Sequence, residues 1–133
     1  MPIRIVHTAD NHIGMPFRQH DDETQKRLLE ERFTALERLI CEANENHADF
    51  FVISGDLFDS PRVKNSYIER TVDVLRHFTG DSVLVLPGNH DFYSGEDTEV
   101  WKRFRKASAE FSNIELLVTP TTISFDVDGE TVQ

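Results

Sequence analysis

A chain of 133 residues supports one domain with a real core but not two, and none of its apolar runs approaches the ~20 residues of a membrane span. Its net charge of −10, from 24 acidic against 14 basic residues, argues against a general nucleic-acid binder, because affinity for phosphate backbones comes mostly from Lys and Arg. The lone Cys41 cannot form an internal disulfide, and no signal peptide precedes the first strand pattern, so a reduced cytoplasmic setting is expected.

In chain order, Ile3 to Ala9 predicts a strand that ends in Asp10-Asn11-His12-Ile13-Gly14. Met15 to Glu23, with Pro16, predicts a loop, with Asp22 or Thr24 as the cap of the next helix. From about Thr24 to Asn46, Leu29, Phe33, Leu36, Ile40 and Ala43 recur at steps of four and three, predicting a helix with one buried stripe. Phe50 to Ser54 predicts a second strand, ending in Gly55-Asp56-Leu57-Phe58-Asp59. Ser66 and Glu69 form a capping-box pattern for a helix carrying Ile68, Val72, Leu75 and Phe78 and stopping at Gly80. Val83 to Leu86 predicts a buried third strand, ending in Pro87-Gly88-Asn89-His90-Asp91, with Gly88 taking positive φ to turn the backbone sharply. Val100, Phe104, Ala107 and Phe111 mark a third helix; strands over 114–118 and 121–127 come next, with Asp128-Gly129 as a hairpin turn. The alternation of strand and helix predicts an α/β fold: a largely parallel sheet with right-handed crossovers, covered on at least one face.

In such a sheet ligands collect beyond the carboxyl ends of the strands. Asp10 and His12 are two apart, so extended backbone would put both side chains on one face, where they can bind one cation. Asp56, with two carboxylate oxygens, can join two cations. Asn89 and His90 point opposite ways in extended backbone, so one can ligate while the other faces substrate. Oxygen donors mixed with imidazole suit Mn²⁺, Fe²⁺ or Zn²⁺ better than Ca²⁺. Divalent cations locally reverse the sign of a carboxylate-rich site, so the acidic composition leaves a nuclease open.

Asp10-Asn11-His12, Gly55-Asp56 and Gly88-Asn89-His90-Asp91, each after a strand and in that order, resemble the first three motifs of the calcineurin-like metallophosphoesterases. His7 to Gly14 and Gly55 to Asp59 further resemble the DNA-repair exonuclease branch, the SbcD type. The resemblance runs through about residues 3–92 and implies the first half of an αββα sandwich. It also implies two-metal phosphodiester hydrolysis, with Mn the expected ion and Fe, Zn or Mg as alternatives. Asp10 and His12 would hold one ion, Asp56 would bridge, Asn89 would hold the second, and His90 would act as general acid or charge stabiliser.

Asp91 is expected to orient its neighbours or form the turn, and Arg62 and Lys64 to meet a phosphate backbone at the rim. Implied partners are DNA and a coiled-coil SMC-like ATPase of the SbcC type. The family supplies further ligands from later histidines, including a Gly-His-X-His motif, and this chain has no histidine after His90. The 133 residues are therefore expected to be one C-terminally incomplete domain, weak or inactive alone, with an uncovered apolar sheet face that favours a homodimer or aggregation. Competing readings are a phosphodiesterase for small substrates and a non-catalytic interaction module.

His7 is expected to be structural on the opposite face of its strand, His20 to lie at the surface, and His47 and His77 to end helices. Trp101 is expected in the core, and Lys102, Arg103, Arg105 and Lys106 to form an exposed helical face.

Overall fold

Short runs rich in Val, Ile and Phe pair side by side into one parallel sheet, because each is flanked by residues that stop a strand and is too short to bury itself alone. In the computed structural model, which describes residues 2–133, these are β1 (Ile5–Thr8), β2 (Phe50–Ser54), β3 (Ser82–Leu86) and β4 (Ile114–Leu116). They lie in the order β1-β2-β3-β4, with Ile5 opposite Phe50, Phe50 opposite Ser82, and Val83 opposite Ile114.

The connections are helices α1 (Asp22–Glu45), α2 (Asn65–Leu75) and α3 (Glu99–Ser108). A strand order that follows the chain, with crossovers of one hand, puts all three on one face of the sheet. There Phe33, Leu36 and Ile40 of α1, Ile68 and Leu75 of α2, and Trp101 and Phe104 of α3 form one core with Phe51, Ile53, Val83 and Val85. The opposite face is only partly covered: Ile5 is 59% exposed, and Val52 and Leu84 are half-buried. A small antiparallel hairpin, β5 (Phe125–Val127) and β6 (Glu130–Val132), lies against it, with the Phe125 and Phe50 rings 4.9 Å apart. No helix among the described residues is long and apolar enough to cross a membrane.

Several element ends differ from the sequence reading. The cap of α1 is Asp21, not Asp22 or Thr24: its carboxylate accepts the Thr24 N–H at 2.8 Å, the reach from a cap to the third helical residue. The Ser66 capping box does not form, because the helix starts at Asn65 with Lys64 in the cap position, and the Asn65 side chain donates to Glu69 instead, at 2.7 Å. Helix α2 stops at Leu75, and Phe78 reaches the core from the turn beyond it. Strand pairing over 121–127 is confined to 125–127.

Candidate metal centre

The first two loops leave the sheet side by side. Asp10 N–H donates to Gly55 O at 3.1 Å, His12 N–H to Asp56 O at 3.0 Å, Ile13 N–H to Leu57 O at 2.9 Å, and Asp59 N–H to Ile13 O at 3.0 Å. This stitching continues the β1–β2 pairing past the strand ends, but not in extended backbone. Asp10, His12 and Asp56 have φ of 55°, 45° and 54°, a region that costs non-glycine residues energy and that clusters at functional sites. The predicted extended geometry at Asp10 and His12 is therefore replaced by two left-handed residues flanking Asn11.

The third loop is tied to the second by Asp91. Its fully buried carboxylate accepts N–H groups from Gly88 at 2.7 Å, Phe58 at 3.0 Å and Asp56 at 3.2 Å, and its carbonyl accepts the Trp101 indole N–H at 2.6 Å. Burial pushes the Asp91 carboxyl above the usual carboxylate range, outweighing the N–H groups that favour its charge. Gly88 is not in the left-handed region, contrary to the sequence reading, and Gly55, at φ 98°, is. Glycine is required at 88 by close approach instead: an added Cβ would lie 2.3 Å from Asp56 Oδ1 and 2.5 Å from its amide nitrogen.

These constraints bring ligand atoms of His12, Asp56 and His90 within 4.8 Å of one another. Asp56 is 6% exposed and accepts the His90 N–H at 2.8 Å and His90 Nδ1 at 3.1 Å. Burial would raise its pKa, but the hydrogen bonds from the His90 N–H and the His90 ring reverse this and hold the carboxyl below its usual range. The His12 and His90 rings meet edge to face, 4.8 Å apart. Asp10 sits at the outer side, 73% exposed, with its carboxylate 3.9 Å from His12 Nε2. Asn89 is exposed on the same turn as His90, and no hydrogen bond fixes its amide among the described residues.

The His12 imidazole and the Asp56 carboxylate, with Asp10 at the outer side, are donors of the kinds that suit a divalent transition metal. Asn11 Oδ1, between the two left-handed residues, is buried without an aligned hydrogen-bond partner, as expected of a site arranged for something other than its own closure.

Sequence reasoning missed Asp59, whose carboxylate lies 3.3 Å from His12 Nδ1; the only available signal was its place shortly after Asp56 on the same loop. It also missed Arg18 and Lys26, which with Arg62 and Lys64 line a groove of about 710 Å³ beginning at Asp59. None of these four cations forms an ion pair with a carboxylate among the described residues. The basic cluster on α3 is partly structural, since Arg103 donates to Val63 O at 2.8 Å and holds the loop after β2. His7 bonds Ser54 Oγ on the open sheet face, and His77 Nδ1 bonds Asp73 O. His20 is exposed, as expected, and Trp101 is buried in the core.

A family model described as calcineurin-like phosphoesterase matches residues 3–130. The uncharacterized metallophosphoesterase YhaO of Bacillus subtilis is 31% identical over 104 residues, 74% of this chain and 25% of its own length. The DNA double-strand break repair protein Mre11 of Methanosarcina mazei is 34% identical over 94 residues, 67% of this chain and 14% of its own. The SbcD component of the SbcCD nuclease of Escherichia coli is 32% identical over 92 residues, 67% and 21% respectively. The chain thus spans about a quarter or less of the length of these relatives.

Proposed function

The chain belongs to the calcineurin-like phosphoesterase family, and on that premise we propose that it carries the divalent-metal site of a phosphodiesterase of the DNA exo/endonuclease type. The convergence of His12, Asp56 and His90 from three loops carries this reading. A pair of divalent cations, when bound, supplies a hydroxide nucleophile at neutral pH and offsets charge on the entering and leaving oxygens.

Asp10, His12, Asp56 and Asn89 would hold the cations, with Asp56 the most deeply buried of the four. These four residues fall short of the five or six ligands each ion would take. His90 presents Nδ1 to Asp56, which leaves Nε2 on a half-exposed ring to donate a proton to the leaving oxygen. Asp91 keeps the second and third loops in register beneath it.

The groove lined by Arg18, Lys26, Arg62 and Lys64, which Asp59 also lines, favours a polynucleotide over a small phosphodiester, because four cations can meet several phosphates of one chain. Mn²⁺ as the ion, a role in DNA repair, a coiled-coil SMC-like ATPase partner and a cytoplasmic location belong to the same proposal. Incubation of the protein with linear DNA and Mn²⁺ tests it: degradation that is slow, as only four ligand residues imply, and abolished by chelation is expected. Hydrolysis of an aryl phosphodiester with intact DNA would favour a small-substrate enzyme. Neither activity, in a protein whose stability is indifferent to metal, would favour an interaction module.

A further inference from the structure

His12 is flanked by two carboxylates, one on each ring nitrogen: Asp10 Oδ1 stands 3.9 Å from Nε2, and Asp59 Oδ1 stands 3.3 Å from Nδ1. The two contacts are not alike. Asp10 is largely in solvent, whereas Asp59 and the Nδ1 edge of His12 are mostly buried. Asp59 is also held in place by its own backbone, whose N–H donates to Ile13 O, the residue after His12. Its carboxylate has no Lys or Arg partner and accepts no hydrogen bond from any other group among the described residues.

A mostly buried carboxylate facing a ring nitrogen discriminates between the two neutral tautomers. With the proton on Nε2, the Nδ1 lone pair would face carboxylate lone pairs, a repulsion at a mostly buried contact. With the proton on Nδ1, the same contact becomes a charge-assisted attraction, and the Nε2 lone pair is left facing Asp10. We propose, resting on the metal-site reading above, that Asp59 is a positioning residue for His12, holding its proton on Nδ1 and presenting Nε2 to the cation it shares with Asp10. Asp59 itself touches neither cation nor substrate; it acts through the imidazole.

Nitrogen-15 NMR of the metal-free protein reads the tautomer directly, and titration with Zn²⁺ reads its consequence. Wild-type His12 is expected in the Nδ1–H form. Asp59→Ala should populate both tautomers and weaken Zn²⁺ binding about 10- to 100-fold, the usual effect of losing a partner behind a metal-bound histidine. Asp59→Asn, which keeps an acceptor oxygen, should keep the tautomer and lose less affinity; it also serves if the alanine variant folds poorly. A wild-type His12 protonated on Nε2, or an unchanged tautomer in Asp59→Ala, would overturn the proposal. Failure of wild-type protein to bind Zn²⁺ or Mn²⁺ while the tautomer still depends on Asp59 would instead overturn the metal site and leave the positioning role standing.

Discussion

The carboxyl edge of the sheet and its open face are both incompletely covered, yet they are built on opposite terms. At the edge, Asp10, His12 and Asp56 accept strained backbone, a buried Asp91 gathers three N–H groups, and Gly88 presses against Asp56. On the open face Ile5, Val52 and Leu84 are ordinary strand residues in relaxed backbone, and the apolar hollow of about 340 Å³ beside them contains no ligand-type residue. Position is specified at the edge and only composition on the face. Substitutions of equal size should therefore cost very different amounts in the two places.

Gly88→Ala should show the largest effect. A methyl group 2.3–2.5 Å from Asp56 atoms cannot be relieved by a flexible side chain, because one of those atoms is backbone nitrogen. A loss of roughly 3 kcal/mol is expected, measured by urea denaturation, with metal binding lost as well. A loss below ~1 kcal/mol would mean that the second and third loops are not pressed together as described.

Next come the two residues that share a hydrogen bond but not a role. Asp56→Ala should abolish both Mn²⁺ binding, by calorimetry, and phosphodiester turnover. His90→Ala should leave Mn²⁺ affinity within a few-fold and reduce turnover at least ~100-fold, in the range of a positioned general acid. Equal loss of metal in both variants would make His90 a ligand and remove its assigned role.

The contrast also explains what was legible in the sequence. The strands, the helical stripe of Leu29, Phe33, Leu36, Ile40 and Ala43, and the parallel topology follow from periodicity, which survives packing. The convergence of the three loops follows from strand ends and motif order. The left-handed backbone at Asp10 and His12 is invisible there, because Asp and His carry no conformational signature as strong as glycine's. Gly88 misleads for a related reason: close approach and positive φ both select glycine, and only coordinates separate them. Asp59 escapes notice because its importance lies in His12, on a different loop, and Arg18 and Lys26 because theirs lies in a groove shared with Arg62 and Lys64. No local pattern encodes such neighbours.

The open face provides the complementary test. Ile5→Thr keeps a β-branched strand residue and removes an exposed methyl-rich surface. Stability of the dilute protein should change by less than ~0.5 kcal/mol, while self-association in sedimentation experiments should fall. A large loss of stability would show that the face is covered in solution and that the two regions differ less than described.

A control tests charge placed away from the edge, where the expected effect is again small. Arg70 of α2 makes paired hydrogen bonds of 2.7 Å to both carboxylate oxygens of Glu30 on α1, and its guanidinium also lies 4.1 Å from the Phe33 ring centroid. The Arg70 hydrogen bonds hold the Glu30 carboxyl below its usual range, against the opposing effect of desolvation. A depressed carboxylate contributes stability that is present above its unfolded pKa of about 4.3 and is lost as pH falls through the folded value. Because both side chains are substantially exposed, that contribution should be only about 0.2–1 kcal/mol. The melting temperature of Glu30→Gln should therefore fall slightly below that of wild type at neutral pH and converge with it in acid. Arg70→Gln should keep a residual deficit in acid, because the contact with Phe33 does not depend on the carboxylate's charge. Convergence of both variants would assign all of the stabilisation to the ion pair. A Glu30→Gln deficit as large as that of Gly88→Ala would show that charge outside the carboxyl edge is as strictly placed as charge within it.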